Sequence, residues 1–91
     1  MLFQQANVGM TQINLVEKDP GRTSLVIMNN HATAIVYIHE LSGVSVAKGF
    51  PIQPGASISW VIPEDDPTGA IWIISDTATT DVRYYEGFGN K

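Results

Sequence analysis

The sequence predicts an all-β fold: a small antiparallel β-sandwich with jelly-roll or immunoglobulin-like Greek-key connections, about six to eight short strands and no substantial helix. Three observations carry that expectation. Between Arg22 and Ile62 the chain runs β-branched and aromatic stretches separated by Asn, Gly and Pro. Ala56 to Ile62 alternates cleanly, with Ile58, Trp60 and Ile62 on one side and Ser57 and Ser59 on the other. No segment repeats apolar residues at helical spacing.

Each element has a local reason. Residues 1–12 are mixed and polar without a period, and read as an extended N-terminal arm, the segment expected to insert between subunits. Ile13 to Lys18 alternates as a half-buried strand. Asp19-Pro20-Gly21 is a turn, with Pro presetting φ and Gly supplying a positive one, and it makes Arg22 to Met28 the hairpin partner of Ile13 to Lys18. Asn29-Asn30-His31-Ala32-Thr33 is the next turn, since Asn tolerates the left-handed region and bonds to nearby backbone. Ala34 to His39 is a strand, and Leu41 to Gly49 a loop of small residues.

Gln53-Pro54-Gly55 has the signature of a type II turn, Pro before Gly, and opens the alternating strand to Ile62. Pro63 to Gly69 is an acidic, solvated loop whose prolines forbid regular pairing. Ala70 to Ser75 and Thr80 to Glu86 are the last strands. Residues 13–86 thus form the sandwich and residues 87–91 a flexible tail. The expected core is Leu25, Ile27, Ile58, Trp60, Ile62, Trp72 and Val82.

Two strands break the inward-outward rule. Ile35-Val36-Tyr37-Ile38 and Ile71-Trp72-Ile73-Ile74 are apolar on both faces, whereas the outer face of a two-layer sandwich is normally polar. Either loops or the N-terminal arm cover these faces, or they form a subunit interface. The candidate interface is Ile35, Tyr37, Ile71, Ile73 and Tyr85; Tyr84 and Tyr85 must point to opposite faces, so at least one ring leaves the core.

Composition narrows the function classes. Ninety-one residues make one domain. Small domains compensate for a modest core with disulfides, metals or association; with no cysteine in the chain, disulfides and thiolate metal sites are excluded, and association remains. Only 15% of residues are charged against 44% hydrophobic, and the former is below the ~25% usual for soluble domains. A partner covering part of the surface would explain this. Net charge is −4, and the basic residues Lys18, Arg22, Lys48, Arg83 and Lys91 are scattered; no nucleic-acid partner is expected. The apolar runs are far shorter than the ~20 residues that span a bilayer, so no membrane partner is expected either. The N-terminus lacks a basic, then apolar, leader pattern, so the chain reads as cytosolically made and soluble.

No catalytic constellation emerges. Gly55-Ala-Ser57 lacks the spacing of a nucleophile elbow. His31 and His39 have no second His at metal-ligand spacing, and Glu64-Asp65-Asp66 lacks the rest of a calcium loop. The expectation is a protein that is not an enzyme and carries no catalytic residue, cofactor or metal.

One resemblance goes further. The run Asp19-Pro-Gly-Arg22-Thr-Ser-Leu-Val-Ile-Met-Asn29, then Ala34-Ile-Val-Tyr37-Ile, Gly49-Phe-Pro-Ile-Gln-Pro-Gly55 and Ile71-Trp-Ile-Ile-Ser-Asp-Thr-Ala-Thr-Thr-Asp81-Val-Arg83 resembles small β-domain virion structural proteins of tailed phages, of the capsid decoration, cement or head-fibre type. Such proteins show an Arg-led strand ending in Asn, a Val-Tyr-Ile strand and a closing strand like the one here. The likeness spans roughly Ile13 to Glu86 and lies in turns and strands. It implies a decoration protein that binds and stabilises the assembled head as a homo-oligomer, with the major capsid protein and further copies of itself as partners, made in the host cytoplasm and located in the virion. The alternative is a carbohydrate-binding β-sandwich module using Tyr85 or Trp72 as a stacking platform.

Overall fold

The structure is a computed structural model that describes residues 2–40, 43, 45, 48–61 and 66–88, without the side chains of Leu2, Phe3 and Val61. Among these residues there are eight strands and no helix: β1 (Leu2–Val8), β2 (Ile13–Val16), β3 (Ser24–Asn29), β4 (Val36–His39), β5 (Phe50–Ile52), β6 (Ser57–Val61), β7 (Ile71–Ser75) and β8 (Thr80–Gly87). They form two four-stranded antiparallel sheets, β1-β8-β3-β6 and β2-β7-β4-β5. The expected small sandwich is the fold observed.

The order identifies the connections. β1 pairs with β8, β2 with β7, β3 with β6 and β4 with β5. The chain is therefore one long two-stranded ribbon, folded over so that β8 also meets β3 and β7 also meets β4. That is the jelly roll, a double Greek key.

Four expectations change in this structure. Ile13 to Lys18 and Arg22 to Met28 do not form a hairpin, because β2 and β3 belong to different sheets. The Asp19 turn does close, Arg22 N–H donating to Asp19 O at 3.1 Å and Gly21 N–H to Asp19 Oδ1 at 2.9 Å. Gly21, however, does not adopt the positive φ expected of it. Nor is the N-terminus an arm: Leu2 to Val8 pairs along its whole length with β8, and Val8 is fully buried. Ala6 and Val8 turn inward, whereas Gln4, of the same phase, is polar and exposed, which breaks the period. At the other end Gly87 completes β8, so the tail expected over 87–91 starts one residue late; its residues 89–91 lie outside the described ones.

The core fills the space between the sheets. Leu25, Ile27 and Val82 from the first sheet are buried with Val36, Ile38, Ile71 and Ile73 from the second, each contributing roughly 1.5–3 kcal/mol of burial. Ile58 and Trp60 pack against this core and remain half-buried. Ile62 lies outside the described residues. The type II turn is present as expected: Ala56 N–H reaches Gln53 O at 2.9 Å, and Gly55 takes a φ of 77°.

Two polar residues at the ends of β3 tie the ends of the sandwich together. Arg22, just before it, is buried and donates to Glu17 O (2.7 Å), Pro67 O (2.8 Å), Gly69 O (3.2 Å) and Glu86 Oε2 (3.1 Å). Pro67 is itself fully buried, so the loop expected to be solvated is anchored in its described part. Asn29, at the other end, is fully buried and donates to Ala34 O (2.7 Å) and Ile52 O (2.9 Å) while accepting from His31 N–H (3.0 Å). The Arg-led strand ending in Asn is thus a pair of clamps, each satisfying buried or part-buried carbonyls of neighbouring segments.

Candidate interaction surface

The two strands that are apolar on both faces lie side by side. β4 and β7 pair with Tyr37 opposite Ile74 and His39 opposite Trp72 on the outer face, and with Val36 opposite Ser75 and Ile38 opposite Ile73 on the inner one. Pro51 of β5 stands opposite Tyr37 and extends the outer row. Ile35, Tyr37, Trp72 and Ile74 therefore share one mostly apolar face with exposed His39, all four half-buried within the single chain.

The other sheet shows the usual pattern. Its outer face carries Gln5, Asn7, Asp81, Arg83, Asn30, Ser57 and Ser59, alongside Val26, Met28 and Tyr85. Asp81 is held there by charge-assisted bonds from Arg83 Nε (3.2 Å) and Nη2 (3.1 Å), and by Asn30 (2.9 Å) and Gln5 (3.0 Å). Arg83 first, then Asn30 and Gln5, bring its carboxyl down to about 2. This face is largely solvated and polar, as a sandwich exterior normally is. The face around Tyr37 and Trp72 is the departure.

Of the expected interface residues, Ile35 and Tyr37 lie on this surface. Ile71 and Ile73 do not; they are 3% and 0% exposed and belong to the core. Trp72, expected in the core, is outward. The phase of β7 is the reverse of the one expected, and Asp76 carries the signal that settles it. Asp76 continues the row of Trp72 and Ile74, is exposed, and could not have pointed inward without burying its charge. The inward row ends instead at Ser75, whose hydroxyl meets that of Thr80 at 2.6 Å and so enters the interior with a partner. Tyr85 lies on the other sheet opposite Val26, and the structure does not bring it to Tyr37. Ile74, which belongs to the double-faced strand but not to the expected interface residues, and Pro51 complete the surface.

Cover from within the chain is partial. The N-terminal segment cannot supply it, being β1 of the opposite sheet. From the β4–β5 connection, Gly43 N–H donates to Gln12 Oε1 at 2.8 Å, which brings Gly43 to the β2 side of the sheet.

A concavity of about 470 Å³ opens beside β5 and β6, lined among others by Ile38, His39, Lys48, Phe50, Ile58 and Trp60. Phe50 and Trp60 have core phase, opposite Ile38 and Leu25, yet Phe50 stays 58% exposed. No group of metal-ligating side chains forms among the described residues. His31 serves its turn, its Nδ1 accepting from Thr33 N–H (3.1 Å) and Ala34 N–H (2.9 Å). Compared with models of known families, with curated proteins and with solved structures, the chain matches none.

Proposed function

We propose that this chain is a virion structural protein, a capsid decoration protein that binds the assembled head and stabilises it as a homo-oligomer. One observation carries the reading: the outer face of β4 and β7 is mostly apolar, with Tyr37, Trp72 and Ile74 partly exposed beside His39, whereas the outer face of the opposite sheet mixes charged and amide side chains with Val26, Met28 and Tyr85. A continuous apolar face on an otherwise ordinary sandwich is a docking surface. Burial contributes ~25 cal/mol per Å² before association costs are subtracted, and repetition over a symmetric lattice multiplies a modest contact. Jelly rolls serve viral capsids, lectins and cupins alike, so the fold supports this reading without deciding it. The resemblance of its turns and strands to those of small phage decoration proteins is a second support for it.

The experiment is co-sedimentation with mature and precursor capsids of the phage that carries the sequence. Binding to expanded shells in preference to compact ones is the expected result, because a rigid sandwich reads one fixed spacing of capsid subunits. Absence of binding to either shell overturns the proposal. A second reading rests on Trp72, whose outward position beside His39 suits stacking on a sugar ring. Strong glycan-array binding without capsid binding would replace the first reading with it.

A further inference from the structure

Among the four sheet edges, β1 stands out. Each sheet has two edges, and two of the four are blunted in ways that prevent pairing with another chain. β2 is four residues long and its register breaks between Asn14 and Val16. β5 is three residues long and contains Pro51. β6 has five residues and no such device. β1 is the longest of the four at seven residues, LFQQANV, with no proline, no charged side chain and an unbroken register against β8.

The register also shows which backbone groups of β1 are open. Asn30 N–H donates to Asp81 O at 2.9 Å, so the main chain of Asp81 points to β3. Backbone groups alternate along an antiparallel strand. Those of Arg83 and Tyr85 therefore also point to β3, and those of Thr80, Val82, Tyr84 and Glu86 point to β1. Their partners Val8, Ala6, Gln4 and Leu2 take up those bonds. Phe3, Gln5 and Asn7 direct their N–H and C=O groups away from the sheet, and among the described residues no other part of the chain bonds to them.

We infer that β1 pairs antiparallel with β1 of a second copy, joining two four-stranded sheets into one. An antiparallel edge is complementary to itself about a two-fold axis, so this pairing closes as a dimer; pairing β1 with β6 of the next copy would propagate as a fibre. Two chains of net charge −4 repel, and a seam free of ionised side chains on β1 avoids adding local repulsion to that. The amides of Gln5 and Asn7 are neutral; Gln5 Nε2 donates within the chain to Asn7 Oδ1 (2.9 Å) and Asp81 Oδ1 (3.0 Å), which leaves Gln5 Oε1 and Asn7 Nδ2 for the partner. The inference stands on this edge and does not depend on what the apolar face of the other sheet binds.

Sedimentation velocity at micromolar concentration, with residue-resolved amide exchange, tests it. The expected result is a dimer in which Phe3, Gln5 and Asn7 amides are protected and lose protection on dilution. Gln5→Pro removes an N–H that faces the seam and none from the β1–β8 ladder, so it should weaken the dimer by at least about tenfold with an unchanged circular dichroism spectrum. Asn7→Lys, which leaves the backbone intact, should act in the same direction and covers the case in which the proline variant does not fold. A monomeric wild type overturns the inference, as does any oligomer or fibre in which these three amides exchange freely.

Discussion

Arg22 and Glu86 form an ion pair at 3.1 Å in which the arginine side chain is 1% exposed and the glutamate 12%. It joins the start of β3 to the end of β8, and the same guanidinium holds the carbonyls of Glu17, Pro67 and Gly69. Three separate stretches of chain at one end of the jelly roll converge on a single cation.

Breaking that convergence should be costly. Arg22→Ala strands a carboxylate and three carbonyls, and a loss of about 3–5 kcal/mol is expected. Against a total of about 5–15 kcal/mol for a domain of ordinary stability, that approaches unfolding. Glu86→Gln should cost less, since an amide oxygen still accepts from Arg22 Nε. Urea denaturation of the two variants measures the difference.

The clamp at the other end of β3 makes a similar test. Asn29→Ala leaves Ala34 O, Ile52 O and His31 N–H without their partner, at roughly 1–3 kcal/mol for each group left unsatisfied. Asn29→Asp should be worse at neutral pH, because an ionised carboxylate would face two carbonyl oxygens in place of a donor. Thermal melts should rank wild type above Asn29→Ala, and Asn29→Ala above Asn29→Asp.

Adjacent residues on β7 separate core from surface. Ile73→Lys places a charge in the middle of the core and should unfold the chain, while Ile74→Lys should leave its circular dichroism unchanged. Ile73→Ala should cost about 2–5 kcal/mol. Equal melting temperatures for the two lysine variants would show that the phase of β7 is wrong.

Stability should fall in acid through Asp81. Its carboxyl titrates at about 2 in the folded chain, below its ordinary value of 3.8. A lowered folded value means that the stabilisation is present above the unfolded value and lost as pH falls from about 4 towards 2. Asp66, lowered by its bonds to Thr68, acts in the same direction. Asp81→Asn should therefore flatten the acid limb only in part, as read from urea midpoints across that range.

Much of the fold was legible because strands announce themselves through local chemistry. The alternation of β6 and the Pro54-Gly55 turn needed no tertiary information. Sheet membership did: nothing local distinguishes a hairpin at Asp19-Pro20-Gly21 from a crossing between sheets, and here the chain crosses. The clamps were hidden for the same reason, since Arg22 is only one of several scattered cations until Pro67 and Glu86 arrive beside it. The double-sided apolar strands were visible, but their phase was not. Trp72 outward and Ile73 inward follow from Asp76 and Ser75, just beyond the apolar run.

The most direct measurement is capsid co-sedimentation of wild type beside Ile74→Lys, with both first shown to be folded. Burial of the β4–β7 outer face against the shell predicts that wild type pellets with mature capsids at a fixed, saturating ratio. It predicts that Ile74→Lys stays in the supernatant, because a lysine would have to be desolvated at the contact. Equal pelleting of the two proteins, or failure of wild type to pellet at all, would contradict the account.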